Sequence, residues 1–146
     1  MVAVASAAVG CAYVIHDRYQ IREYGAIESG NLDIYGYEEE SVLPTWLAGR
    51  LPHAFASCFV HITEIDLQFN DLSVCDPRHV RELHACEWVH TLRIPNATLP
   101  PEMFAAVTSF PRLKTIYFRD WFDGEVEGSV DLRKAQVDGV RLIMTD

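Results

Sequence analysis

The sequence predicts a small α/β solenoid: a stack of about four short parallel strands, helices or loops returning on the convex side, and a helical cap at the N-terminal end. Three observations carry the prediction. Ile62, Ile65 and Leu67, then Asn70 and Leu72, form a line in which a short apolar strand ends at a turn whose Asn amide satisfies backbone groups. The line recurs as Val89, Leu92, Ile94 and Leu99, as Leu113, Ile116 and Phe118, and as Val137, Val140 and Leu142, with starts 27, 24 and 24 residues apart. Between the lines lie segments that carry helix signals.

The bulk properties agree with one soluble core. A chain of 146 residues, 49% hydrophobic and 23% charged, buries about 70% of its unfolded surface as one domain. Twelve Lys and Arg against twenty-one Asp and Glu give a net charge of −9, which opposes attraction to phosphate backbones, so nucleic acid is not an expected partner. Cys11, Cys58, Cys75 and Cys86 are widely spaced without a C-x-x-C pair and read as free thiols.

The chain divides into residues 1–25, an apolar segment and helix; 26–61, a linker strand and capping helix; and 62–146, the recurring units. Val2 to Ile15 carries no charge and reads as a membrane anchor, a cleaved signal or a helix packed on the domain. A helix of that length reaches about 21 Å, short of the roughly 30 Å bilayer core. The expected location follows from that choice: membrane-associated through residues 1–15, or cytoplasmic if the helix packs on the domain. Tyr19 to Ile27 is amphipathic, and Gly25 or Ser29-Gly30 can end it. Leu32, Ile34, Tyr35 and Tyr37 mark a strand bounded by Glu38–Glu40, an expected solvated loop. Pro44 to Phe59 reads as a helix or two half-helices interrupted by Pro52, with Trp46 and Phe55 in the core of the cap.

The return segments are marked by punctuation. Asp76-Pro77 places an N-cap and a first-turn proline ahead of a buried stripe of Val80, Leu83 and Cys86. Pro100-Pro101 opens a second helix with Met103, Phe104 and Val107 inward, and Pro111 stops it. From Asp123 to Gln136 the composition predicts a loop with at most one helical turn at Leu132.

These residues resemble the leucine-rich-repeat family, in its bacterial helix-backed variety with repeats of about 24 residues. The resemblance runs from Ile62 to Thr145. The order of apolar N-terminal segment, linker strand and Trp-containing helix at Pro44-Thr45-Trp46-Leu47 is similar to short members with an N-terminal anchor. The family's asparagine is present at Asn70 but replaced by Ala97, Trp121 and Thr145, so the later turns need other stabilisation. The resemblance implies a non-enzymatic module that binds a protein partner through the concave strand face, without a cofactor.

Alternation along each strand assigns that face to Glu64, Asp66 and Gln68, then Thr91, Arg93 and Pro95, then Thr115, Tyr117 and Arg119, then Gly139, Arg141 and Ile143. Acidic residues fall on the first strand and arginines on the later three, with Tyr117 central. Glu64, Asp66, Gln68, Thr91, Arg93, Thr115, Tyr117, Arg119 and Arg141 are the candidate contact residues, Tyr and Arg being the types that dominate binding hot spots. A C-terminal repeat left uncovered predicts self-association or a longer array. Two other readings compete. Cys75, His79, His84, Cys86 and His90 fall within sixteen residues and suggest zinc, although their spacing is unlike paired zinc ligands. A purely structural, membrane-associated role is the other. Nucleophile-elbow, phosphate-loop and H-E-x-x-H motifs are missing from the sequence.

Overall fold

A computed structural model describes residues 21–28, 33–68, 76–119 and 128–146. The apolar segment 1–15, Asn70, Cys75 and Trp121 lie outside them. Among the described residues no helix is long and apolar enough to cross a membrane.

The fold is mixed α/β, built on a five-stranded, mostly parallel sheet in the order β1-β2-β3-β5-β7. The strands are β1 (Asp33–Ser41), β2 (Val60–Gln68), β3 (Thr91–Ile94), β5 (Thr115–Phe118) and β7 (Arg141–Met144). A second, two-stranded sheet pairs β4 (Thr98–Leu99) with β6 (Val130–Asp131). Strands β2, β3, β5 and β7 run parallel, and parallel neighbours need a crossover of a dozen or more residues. Those crossovers contain α4 (Pro77–Glu82), α5 (Pro101–Thr108) and the β6 region. Both helices begin as their sequence signals require. Asp76 caps α4, its Oδ1 accepting from the Arg78 amide at 2.9 Å, and Pro77 and Pro101 occupy first-turn positions where a missing N–H costs nothing.

The core lies between one sheet face and the helices. Ile65, Leu67, Leu92, Ile94, Ile116 and Phe118 project into it from the strands, and Val80, Leu83, Cys86, Met103, Ala106 and Val107 meet them from the return segments. Val89 and Leu113 are buried just ahead of their strands. Phe104, expected inward, is half-buried. Residues 21–28 form helix α1, which continues through Gly25 and packs Tyr24, Ala26 and Ile27 on this core.

Registration is direct across the first three rungs: Ile65 pairs with Leu92, and Leu92 with Ile116. The fourth rung differs from expectation by two residues. Ile116 pairs with Leu142, not Val140, because Val137 and Val140 close a tight turn around Asp138-Gly139, with the Val140 amide donating to Val137 O at 3.1 Å. Gly139 sits at φ 75°, in the left-handed region that glycine alone enters without strain. The ladder therefore begins at Arg141. Since the slip is even, the same side chains keep the same face.

Three other expectations are corrected. Glu38–Glu40 belong to β1, an antiparallel strand on β2, not to a loop; an edge strand with one solvated face accommodates a run of charge. Trp46 is 65% exposed and not a core residue, because α2 (Thr45–Ala48) is a single turn between Pro44 and Gly49 that buries none of its residues. Phe55, on α3 (His53–Ala56), is half-buried and packs on Phe59 with ring centroids 5.8 Å apart.

Candidate functional site

The sheet face opposite α4 and α5 carries the outward side chains in rows set by the register. One row reads Glu38, Glu64, Thr91, Thr115 and Arg141; the next reads Gly36, Asp66, Arg93, Tyr117 and Ile143. Beyond the strand ends, Arg119 N donates to Ile94 O at 3.1 Å and Thr145 N to Phe118 O at 2.9 Å, so the ladder continues into a third row.

This arrangement separates the candidate residues. Thr91 and Thr115 are buried, at 7% and 5% exposure, because short side chains sit below the longer ones beside them. They are floor and not contact surface. Arg141 stands in the first row, two residues from where the expected register put it, and away from the pocket described next. Asp66, Gln68, Arg93, Tyr117 and Arg119 line one pocket of about 370 Å³ together with Tyr35 and Thr145.

The pocket is held by charge and stacking. Arg93 Nε donates to Glu64 Oε1, and its guanidinium lies 4.9 Å from the Tyr117 ring centroid, a cation–π contact. With its Nε engaged by Glu64 and its guanidinium over the Tyr117 ring, Arg93 is placed before any ligand arrives. Hydrogen bonding to Glu64 pushes the Arg93 pKa further up. Asp66 feels opposing influences: burial pushes its carboxyl pKa up, while Arg93 and Arg119 draw it down.

Tyr35 was not foreseen on this site. Ile34 pairs with Leu67 and Gly36 with Asp66, so Tyr35 is the extra residue of a β-bulge, a device that re-aims a side chain. It is 79% exposed. Gly36 presents no side chain opposite Asp66, and a Cβ there would meet open space. Thr145 was read only as an asparagine replacement; the corrected fourth register brings it to the pocket.

A second constellation lies at the other end of β2. Glu23 of α1 is buried, with Oε1 3.3 Å from His61 Nδ1 and Oε2 accepting from the Ile62 amide at 3.5 Å. The His61 ring stacks on Trp88 with centroids 5.0 Å apart, and the Arg112 guanidinium carbon lies 3.9 Å from a Trp88 ring centroid. No local motif marks this group, because its members come from four separate segments.

The described members of the candidate zinc set, His79, His84, Cys86 and His90, do not converge. His84 Nε2 is 3.1 Å from Ala106 O and its ring meets Phe110; His90 Nδ1 is 3.0 Å from Thr91 Oγ1; His79 sits on α4. Cys86 is buried, its thiol donating to Glu23 O at 3.7 Å and its pKa pushed up to about 12, mainly by burial. Among the described residues no three His, Cys, Asp or Glu side chains converge as metal ligands.

Comparisons with family models, curated proteins and solved structures find no match to this chain.

Proposed function

We propose that the chain is a short leucine-rich-repeat solenoid acting as a non-enzymatic protein-interaction module, with the open sheet face as its binding surface. One observation carries the reading: four parallel strands, paired in series through Ile65, Leu92, Ile116 and Leu142, present Asp66, Arg93, Tyr117 and Arg119 around one pocket. The intervals between those four rungs, 27, 24 and 26 residues, lie in the roughly 20–29 range of such repeats. Among the described residues, the return helices α4 and α5 pack on the opposite face of the sheet. Arg and Tyr combine packing area with hydrogen bonding, as contact residues do, and the Glu64–Arg93–Tyr117 grouping lowers the ordering cost of binding.

The test is affinity capture with the wild-type chain and a Tyr117→Ala, Arg119→Glu variant of unchanged melting temperature. The reading predicts a specific protein retained by the first and lost from the second. Identical sets recovered by both contradict it.

A further inference from the structure

We infer that the chain self-associates through the β7 edge, with β7 of one copy pairing antiparallel with β7 of a second about a two-fold axis at Ile143, so that the two five-stranded sheets become one. This contact uses the sheet edge and is independent of the pocket described above.

The two edges of the sheet are built differently. β1 carries register shifts at Ile34/Gly36 and at Glu38/Glu39, together with the charges of Glu38, Glu39 and Glu40, and bulges and charge are the devices that keep an edge from pairing. β7 has neither device in its centre. It matches β5 residue for residue from Arg141 to Met144 without a shift, and Leu142, Ile143 and Met144 are apolar. Arg141 N donates to Lys114 O at 2.8 Å and Thr145 N to Phe118 O at 2.9 Å. In a parallel ladder that phase turns alternate residues to the neighbouring strand, so the backbone N–H and C=O groups of Leu142 and Met144 point away from β5. Among the described residues β7 pairs with β5 alone, and the Met144 side chain is exposed although apolar.

A second copy fits this edge. A two-fold axis through Ile143, normal to the sheet, sets Leu142 opposite Met144 and Ile143 opposite its own counterpart, so apolar residues face apolar ones. The outward N–H and C=O groups of Leu142 and Met144 then exchange hydrogen bonds between the copies. Charge agrees with that register. Arg141 falls opposite Thr145, so no like charges meet. Asp146 of the second copy falls opposite Val140, beside Arg141 and in line with Lys114, whose carbonyl accepts from Arg141 N, and these three charged residues are exposed. Asp138, in the turn before β7, lies two residues further out than Val140. The net charge of −9 repels two copies at long range, but at physiological salt that field is screened beyond about 8 Å. Pairing strands this short buries less than the roughly 1,200 Å² of a standard interface, so the dimer is weak and concentration-dependent. Because the axis is normal to the sheet, both open faces lie on the same side and the proposed binding surface becomes bivalent.

The experiment is sedimentation velocity of the full chain from about 5 to 500 µM, the range of weak association. The mean mass rises from 16.5 kDa toward twice that value. Met144→Pro removes an outward N–H that the β5 ladder does not use, a substitution edge strands tolerate, and it stays monomeric with an unchanged circular dichroism spectrum. Asp146→Lys weakens association by about threefold, as for an exposed ion pair. Ile143→Cys gives a disulfide-linked dimer with oxidised glutathione, since residues opposite in a non-hydrogen-bonded pair stand about 4.5 Å apart at Cα; Thr145→Cys and the wild type give none. A wild type that is monomeric throughout overturns the inference. So does a dimer that persists unchanged in a folded Met144→Pro, or one linked through position 145 and not through 143. If Met144→Pro does not fold, Ile143→Cys decides, and its failure to form a linked dimer overturns the inference.

Discussion

Gly139 holds φ 75° in the turn that starts β7. Alanine there has space for its Cβ but not the backbone freedom, so Gly139→Ala should lower stability by about 1 kcal/mol, measured by urea unfolding. An unchanged midpoint would show that the turn is relaxed in the folded protein. Asp76 and Asp131 make a pH prediction at the same scale. Hydrogen bonding from Arg78 and Arg133 respectively draws each carboxyl from 3.8 down to about 2. A depressed folded-state pKa stabilises the fold above the unfolded value and loses that contribution as pH falls through the folded one. Stability should therefore decline between about pH 4 and 2, and an Asp76→Asn, Asp131→Asn variant should show a shallower decline in an acid titration followed by circular dichroism. Parallel curves for the two proteins would contradict the assignment.

At the scale of elements, the rungs share one core. Leu92 and Ile116 are fully buried and paired across β3 and β5, so truncating either to alanine should cost about 3 kcal/mol by loss of transfer energy and creation of a cavity. Chemical denaturation checks this; a cost below about 1 kcal/mol would place the residue outside a packed core. Helix α1 is tied to the start of β2 through Glu23. Glu23→Ala removes the acceptor of the Ile62 amide and one partner of His61, and should cost about 1–3 kcal/mol while raising amide hydrogen exchange in residues 21–28. Unaltered exchange there would mean that α1 is docked by Tyr24 and Ile27 without it.

These elements were legible to different degrees for physical reasons. Asp76-Pro77 and Pro100-Pro101 are local signals, since capping and the first-turn tolerance for proline act within one turn. The lines at Ile62, Val89 and Leu113 were legible because burial imposes a period. The fourth was misregistered although Asp138-Gly139 is a turn dipeptide, since Val137 and Val140 mimic the apolar spacing while serving the turn. Pairing of β1 is non-local: nothing within Ile34–Glu40 encodes an antiparallel partner at Val60–Gln68 or the bulge that re-aims Tyr35. Part of the site was readable by alternation, namely Asp66, Gln68, Arg93, Pro95, Tyr117 and Arg119. Tyr35, Gly36 and Thr145 depend on edge pairing and register.

At the scale of the whole molecule, the described helices pack on one sheet face and the other face carries polar rows. That division makes the open face the proposed interaction surface, and site-specific photo-crosslinking tests it most directly. A benzophenone side chain is placed at Tyr117, on the pocket, or at Arg81, exposed on α4, and each protein is irradiated with the partner recovered by affinity capture. The account predicts a covalent adduct from position 117 and none from position 81. An adduct formed equally from both, or only from the helix side, would contradict it.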